Sequence, residues 1–392
     1  MTGAQSVRGK AAIVGVGLGG YAPDGRLGEA KGRTDLEILG QAVHGALQDA
    51  GLSLQDVDGL FGASMMTAVP ALVIGEYLGL SPDVVDGTNV GGSSFMNHLQ
   101  WAALALDAGL CSVALVCYGS NQRTRVGGRG AQRPETPWWV SPYKPRPPIS
   151  GYALSAHRHM HVYGTTSEQL AEVAVAARAW ANMNPEAFMS GPLSADDVLS
   201  SRMICDPLHL LDCCLVTDGG GAAILVRADR AKDFPKPPVY VLGVAAAQDH
   251  MQVSEMPDLA TSAAAKSGPR AFAMAGVTPT EIDVVMLYDA FTINTILFLE
   301  DLGFCPKGEG GRFVEGGAIA PGGRLAVNTN GGGLSCVHPG MYGMFTLIEA
   351  IRQLRGEAGA RQVAGAKLAV AHGNGGMLSS QVTSILGTAE TL

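Results

Sequence analysis

Short apolar runs that end in glycine alternate with segments of helical spacing along the whole chain. Ala11-Ala12-Ile13-Val14-Gly15-Val16-Gly17 reads as a buried strand. Leu36 to Ala50 sets Leu36, Ile38, Leu39, Val43 and Leu47 at helical spacing. Val57 to Gly62 predicts a short strand, Ser94 to Ala108 an apolar helix, and Ser112 to Cys117 a second buried strand. Uninterrupted apolar strands separated by helices predict an α/β fold with covered sheets.

The pattern breaks from Tyr118 to Tyr152, where Pro, Gly, Arg and two Trp dominate. Long irregular segments inside compact domains usually cover or form a site. Helical spacing resumes from Ser167 to Asn182, and Asp218-Gly219-Gly220-Gly221 leads into a strand ending at Val226. The second half repeats the order. Val239 to Val244 reads as a strand, Ser262 to Ala275 as a helix, Val284 to Leu287 as a strand and Thr292 to Leu302 as a helix. Ala320 to Asn330 leads into a glycine-rich turn, Tyr342 to Leu354 is helical, and Leu368 to Ala371 is a strand. Two stretches correspond between the halves: Thr88-Asn89-Val90-Gly91-Gly92 and Thr329-Asn330-Gly331-Gly332-Gly333. Each opens an apolar segment. The strand-then-glycine outline at 113–121 recurs at 368–376. Matches in the same order point to a duplicated unit. The charged, Pro-containing stretch Lys232 to Pro238 sets the expected boundary, giving halves 1–235 and 236–392, with an inserted region at about 118–215 in the first.

Composition narrows the class. Of 392 residues, 47% are hydrophobic, only 16% are charged and 53 are glycine, as in a heavily buried globular protein with many tight turns. The low charge also suggests surface covered by another subunit. A net charge of −8 argues against nucleic-acid binding. The seven cysteines include no CxxC pair, so neither a disulfide framework nor a zinc ribbon is expected. No stretch reaches about 18 apolar residues, and no signal peptide is evident. A cytoplasmic protein outside the membrane is the expectation.

Several motifs invite chemistry. Gly15-Val16-Gly17-Leu18-Gly19-Gly20 fits the dinucleotide fingerprint, but Tyr21-Ala22-Pro23-Asp24-Gly25 follows, where that fingerprint needs a helix. His157, His159 and His161 lie in a helical context, where they diverge by about 200° per step of two and do not converge on a metal. Arg123, Arg125, Arg129, Arg133, Lys144 and Arg146 form a local basic cluster suited to the phosphates of coenzyme A. His338-Pro339-Gly340 follows three glycines and a short apolar run, a setting in which a histidine can donate to a developing oxyanion. Tyr288-Asp289-Ala290-Phe291 lies just after a buried strand, where α/β sites concentrate.

Together the segments Asn89–Phe95, Asp218–Ala223, Tyr288–Phe291, Gly331–Gly340 and His372–Gly376 resemble the thiolase superfamily in its sterol carrier protein X-type branch, over nearly the whole chain. The resemblance implies a five-layered αβαβα fold of two duplicated halves, a coenzyme A thioester substrate and a dimer. It also marks departures. The family's nucleophilic Cys corresponds to Gly92, by Asn-x-x-Cys spacing from Asn89. The branch's His-Asp-Cys-Phe motif reads Tyr288-Asp289-Ala290-Phe291 here. Other thiolases carry a Cys at the position of His372. The oxyanion histidine is retained as His338. Without a nucleophile no acyl-enzyme forms. The combination resembles the lipid-transfer-protein-type aldolases of steroid side-chain degradation, which implies retro-aldol cleavage of a β-hydroxyacyl-CoA to a 17-ketosteroid and propionyl-CoA.

That resemblance implies Tyr288, Tyr342 and His338 as catalytic residues, with Asp289, His372 and Asn374 in support. Retro-aldol chemistry needs a base for the β-hydroxyl and stabilisation of the thioester enolate. Tyr288 or Tyr342 is expected to take the proton, and His338 to hold the enolate oxygen. Asp289 and His372 are candidates to lower a tyrosine pKa. Gly91, Gly92 and Ser93 are expected to line the substrate pocket, the glycines freeing volume for a bulky ring system. No tightly bound cofactor or metal is expected; coenzyme A enters as part of the substrate. The resemblance also implies a small partner of OB fold and zinc ribbon, in an assembly with two copies of each chain. The alternatives are a non-catalytic thiolase-like subunit, and a thiolase or acyl-CoA acetyltransferase that uses another Cys.

Overall fold

The computed structural model describes residues 6–125 and 137–392. The expected basic-cluster residues Arg129 and Arg133 lie outside the described residues. The first half runs β1 (Ala11–Gly19), α1 (Asp35–Ala50), β2 (Gly59–Gly62), α2 (Pro70–Leu78), β3 (Val84–Asp86), α3 (Ser94–Asp107) and β4 (Val113–Ser120). A long connection follows, with α4 (Ile149–Tyr163), α5 (Ser167–Ala181), α6 (Ala195–Ser200) and the small pair β5 (Met203–Cys205) and β6 (Leu208–His209). β7 (Gly219–Arg227) closes this half. The second runs β8 (Val239–Gln248), α7 (Ala264–Ala275), β9 (Val284–Leu287), α8 (Thr292–Asp301), α9 (Gly310–Val314), β10 (Ala326–Val327), α10 (Gly343–Leu354), β11 (Leu368–Gly375) and β12 (Ser380–Gly387).

The strand ladder exposes the duplication. The order is β10-β9-β11-β12-β8-β1-β7-β4-β2-β3, the same five-strand arrangement written outward twice from the β8–β1 seam. β1–β7 and β8–β12 are antiparallel, as are β7–β4 and β12–β11, while β4–β2 and β11–β9 are parallel. The seam itself is short, Ala12 opposite Tyr240 and Ile13 opposite Val239. Helix α3 touches β2, β4 and β7 from one half and β8, β11 and β12 from the other. In a flat sheet, at roughly 4.8 Å per strand, β2 and β11 would lie about 30 Å apart, beyond the reach of one helix. The ladder therefore folds at the seam around α3 and α10. With α1 covering β1, β7 and β4, and α7 covering β8 and β12, this makes five layers, αβαβα.

The glycines of the dinucleotide-like run are explained by packing. A Cβ on Gly15, Gly17 or Gly19 would lie 2.2–2.3 Å from α1 backbone carbonyls. Gly243 on β8 meets α7 in the same way, at 2.3 Å from the Ala271 carbonyl. Each outer helix thus lies directly on its strand. Several elements depart from the sequence reading, which did not predict α2 or α6 among others. The segment taken as irregular contributes Tyr118–Ser120 to β4, and from Ile149 onward it belongs to α4. β3 was not predicted, because it is a three-residue edge strand. β12 was not predicted either, because Ser380-Gln381-Val382-Thr383-Ser384 looks polar, yet every residue of the strand is buried.

Candidate active site

The glycine-rich turns of the two halves meet between the sheets. A Cβ on Gly343, the first residue of α10, would lie 2.0 Å from the Gly92 carbonyl, at the start of α3. One on Gly375 would lie 1.7 Å from the Val90 carbonyl, and one on Gly91 (φ +73) 2.8 Å from Gly375 Cα. Only glycine lets three turns approach this closely.

Tyr288 follows β9 and enters this junction. A Cβ on Gly92 would stand 2.0 Å from Tyr288 Cε2 and 2.7 Å from the Asn374 carbonyl. This corrects the expectation that Gly91 and Gly92 free volume for substrate: the Tyr288 ring fills the space beside Gly92. Ser93 is buried, its hydroxyl donating to the Val90 carbonyl at 2.9 Å and hydrogen-bonded to the Ser380 hydroxyl at 2.9 Å, so it ties turns together instead of lining a pocket.

Three aromatic rings surround the junction. His338 lies edge-on to Tyr288 (centroids 5.4 Å, 89°) and stacks on Tyr342 (6.0 Å, 16°). Tyr288 and Tyr342 are themselves edge-to-face at 5.7 Å. The His338 backbone N–H donates to Thr217 Oγ1 at 2.9 Å, and Tyr118 fixes the next residue by donating to the Pro339 carbonyl at 2.5 Å. His338 is 7% exposed, and its Nε2 has no hydrogen-bond partner among the described residues. Burial lowers its pKa to about 4, so the ring is neutral at physiological pH. A buried, unpaired ring nitrogen calls for a ligand atom.

Both tyrosines hold their protons. Tyr288 donates to the Gly340 carbonyl at 3.1 Å, and Tyr342 to Asn330 Oδ1 at 2.9 Å. Burial raises both phenols well above their ordinary 10. Asp289 and His372 do not lower them. Asp289 accepts from the backbone N–H groups of Gly333 (2.6 Å) and Leu334 (3.3 Å) and so fastens the turn that carries His338; burial raises its pKa to about 7. A Cβ on Gly332 (φ +66) would strike Asp289 Oδ2 at 2.0 Å, which explains one glycine of the triplet. His372 lies against Phe298 (4.5 Å), with Nδ1 on Thr383 Oγ1 (3.0 Å) and Nε2 on Gln381 Oε1 (2.9 Å). Burial lowers its pKa to about 4. Asn374 accepts from Gln381 Nε2 at 2.7 Å and donates to the Tyr152 hydroxyl at 2.8 Å.

Sequence reasoning missed Tyr152. It lies on α4, stacks on Phe291 at 4.6 Å and donates to the Gly376 carbonyl at 3.0 Å. The helical spacing of Ile149 to Tyr163 was the available signal, hidden by the irregular stretch before it. The other candidate motifs stand apart. His159 is buried on Thr165 (2.7 Å) and Glu300 (3.0 Å), whereas His157 pairs with Asp206 at the surface. Arg123 lies over the Phe188 ring at 4.9 Å. Each cysteine thiol with a shifted pKa, Cys214 and Cys336 included, is raised by burial, which disfavours the thiolate a nucleophile needs.

Comparison with known proteins fits this geometry. Residues 245–388 match the family model described as thiolase C-terminal domain-like. The chain is 36% identical over 369 residues to a steroid side-chain-cleaving aldolase of Thermomonospora curvata, covering 89% of this chain and 91% of that one. It is 35% identical to the 17-hydroxy-3-oxo-4-pregnene-20-carboxyl-CoA lyase of Mycobacterium tuberculosis (89% and 92% covered), and 36% identical to an acetyl-CoA acetyltransferase of Methanothermobacter thermautotrophicus (87% and 91%). The solved structure named Ltp2-ChsH2(DUF35) aldolase superposes with a TM-score of 0.87 at 31% identity, over 99% of this chain and 100% of that one. A duplicated five-layered fold, a retained His338 and near-full-length relatives lead to one assignment: the chain belongs to the thiolase superfamily, in the sterol carrier protein-type branch that includes the steroid side-chain-cleaving aldolases.

Proposed function

We propose that this protein is a carbon–carbon lyase that cleaves a β-hydroxyacyl-CoA by retro-aldol reaction, the acyl group being a steroid side chain and the products a 17-ketosteroid and propionyl-CoA. The single observation that carries this reading is the Tyr288 ring beside Gly92, in the space a nucleophilic thiol would need, next to an unpaired His338 Nε2. Acyl transfer through a thiolate has lost its nucleophile, while stabilisation of a thioester oxygen has been kept.

The division of labour follows from the environments. As the Nε2–H tautomer, neutral His338 donates to the thioester oxygen as it gains enolate charge. Tyr288, whose burial holds its proton firmly, serves as the acid that protonates the enolate carbon. Tyr342 stacks behind His338 and, through Asn330, fixes the turn between them. Asp289 shapes that turn, and His372 and Asn374 support the β11–β12 side of the site. Coenzyme A is part of the substrate, and Arg123, Arg125, Lys144 and Arg146 are the groups proposed to meet its phosphates.

The working assembly is proposed to be a homodimer with a separate small partner of OB fold and zinc ribbon, two copies of each. Val69, Leu72, Tyr77, Val85, Trp101 and Leu110 support the dimer: all are exposed and all come from α2, edge strand β3, α3 and the turn after it. The name of the similar aldolase structure, which joins two proteins, supports the partner. The test is turnover of a panel of β-hydroxyacyl-CoAs by the chain co-expressed with such a partner, without added CoA. Ketone and shortened acyl-CoA are the expected products. Cleavage that requires free CoA would favour the acetyltransferase reading instead.

A further inference from the structure

Outside the Tyr288–His338–Tyr342 cluster, a line of hydrogen-bonded side chains is buried between β11, β12 and α4. Gln381 Oε1 accepts from His372 Nε2 at 2.9 Å, so Nε2 carries the ring's proton and the neutral ring's Nδ1 accepts from Thr383 Oγ1 at 3.0 Å. Ser267 then donates to Thr383 at 2.9 Å. Gln381 Nε2 donates to Asn374 Oδ1 at 2.7 Å, Asn374 Nδ2 donates to the Tyr152 oxygen at 2.8 Å, and Tyr152 donates to the Gly376 carbonyl at 3.0 Å. All six bonds run one way: in the first five the donated hydrogen points toward Tyr152, and in the last Tyr152 donates onward to Gly376. Hydrogen bonds in such a chain polarise one another, and the Asn374 amide at its end favours negative charge on the Tyr152 oxygen to which it donates.

Asn374 ties this oxygen to the site. Its backbone carbonyl and the Tyr288 ring both close on the space beside Gly92, while its amide holds Tyr152. Tyr152 also stacks on Phe291, of the same motif as Tyr288. We propose that Tyr152 is a third catalytic tyrosine, the general base that takes the proton of the substrate's β-hydroxyl. This rests on the retro-aldol reading above.

The step balances within the substrate. In the reactive form Tyr152 has passed to solvent the proton it otherwise donates to the Gly376 carbonyl, and its oxygen forms a bond to the substrate's hydroxyl proton. The O–H electron pair becomes the new C=O π bond, and the Cα–Cβ bond breaks with its pair passing into the thioester enolate held by His338. Tyr288 gives its proton to Cα and regains one from Tyr152 by way of solvent. Nothing is oxidised or reduced. The environments differ: burial pushes Tyr152 up to about 12 against the Asn374 amide that donates to its oxygen, whereas burial raises Tyr288, whose own hydroxyl donates to the Gly340 carbonyl.

Two measurements decide it. Tyr152→Phe should lower kcat by about 10²–10⁴-fold with KM little changed and far-UV dichroism intact. Turnover within about threefold of wild type overturns the proposal. Independently of turnover, fluorotyrosine placed singly at 152, 288 and 342 and titrated by fluorine NMR should ionise first at 152, and Gln381→Leu should delay that ionisation. Ionisation at 152 no earlier than at 288, or unmoved by Gln381→Leu, overturns it. If the wild-type chain cleaves no β-hydroxyacyl-CoA, the retro-aldol reading falls, and an early ionisation at 152 still supports a poised Tyr152 while a late one removes it.

Discussion

At the scale of single residues, the site is defined by what stands beside Gly92. Gly92→Ala places a methyl group into the Tyr288 ring, 2.0 Å from Cε2. Overpacking of this kind typically costs about 1–3 kcal/mol, and here it also displaces the ring. We expect a lowered urea midpoint together with reduced turnover; wild-type values of both would show that the ring does not need that space. Tyr288→Phe keeps the ring and removes one hydroxyl, which donates to the Gly340 carbonyl. The fold should persist while cleavage falls about 10²–10⁴-fold, the usual loss for one positioned proton-transfer group. His338→Ala should lower kcat by about 10²–10³-fold with a smaller effect on KM, since the donated bond strengthens only as charge develops. A pure KM effect would move His338 to substrate binding. The missing thiol at Gly92 was legible in the sequence, but what replaced it was not. Tyr288 lies far away in sequence, and a glycine reads equally well as open volume or as a close approach.

At the scale of elements, the glycine-rich turns and β12 carry the buried polar groups that hold the site together. Gln381→Leu would leave the His372 Nε2–H and Asn374 Oδ1 unpaired in the core. Each such group costs about 1–3 kcal/mol. The histidines make stability pH-dependent. Burial lowers His98, His338 and His372 to about 4 from an ordinary 6.5, so between those values the unfolded chain binds protons that the fold does not. Their contribution is complete above about pH 6.5 and is lost as pH falls toward 4. Asp289 has the opposite sign. Raised to about 7, it takes its proton earlier in the fold and gains stability as pH falls toward 4. Three groups outweigh one, so the unfolding free energy from urea titrations at pH 7, 6 and 5 should fall by about 1.4 kcal/mol per pH unit for each uncompensated proton. A flat profile would mean that the histidines are not held neutral. Apolar elements such as β1, α1 and α10 were legible from their periodicity. β12 was not, because its Ser, Gln and Thr side chains are buried by bonding to β11, to Ser267 of α7 and to Ser93, a long-range property that periodicity does not carry.

At the scale of the whole molecule, the repeated strand order explains why the site sits where it does. Central helices α3 and α10 begin where the two halves' glycine turns meet, and the proposed catalytic groups Tyr288, His338 and Tyr342 gather there. We propose that the halves part near residue 235, in the segment before β8. The exposed edge at β3 gives the assembly prediction: Leu72→Asp with Trp101→Glu should shift sedimentation from dimer toward monomer. An unchanged dimer would place the interface elsewhere. Duplication was legible in the paired Thr-Asn-glycine stretches because both follow the edge strands β3 and β10. The folding of the ladder around α3 was not, since it depends on contacts between the halves. The most direct test of the central claim is the product of a steroid β-hydroxyacyl-CoA reaction run in heavy water, without free CoA, by the chain with its partner. Retro-aldol cleavage through an enolate predicts a 17-ketosteroid and propionyl-CoA carrying one deuterium at the carbon next to the thioester, with no acylated cysteine by mass spectrometry. Cleavage that depends on free CoA, or an acyl group found on any of the seven cysteines, would contradict it.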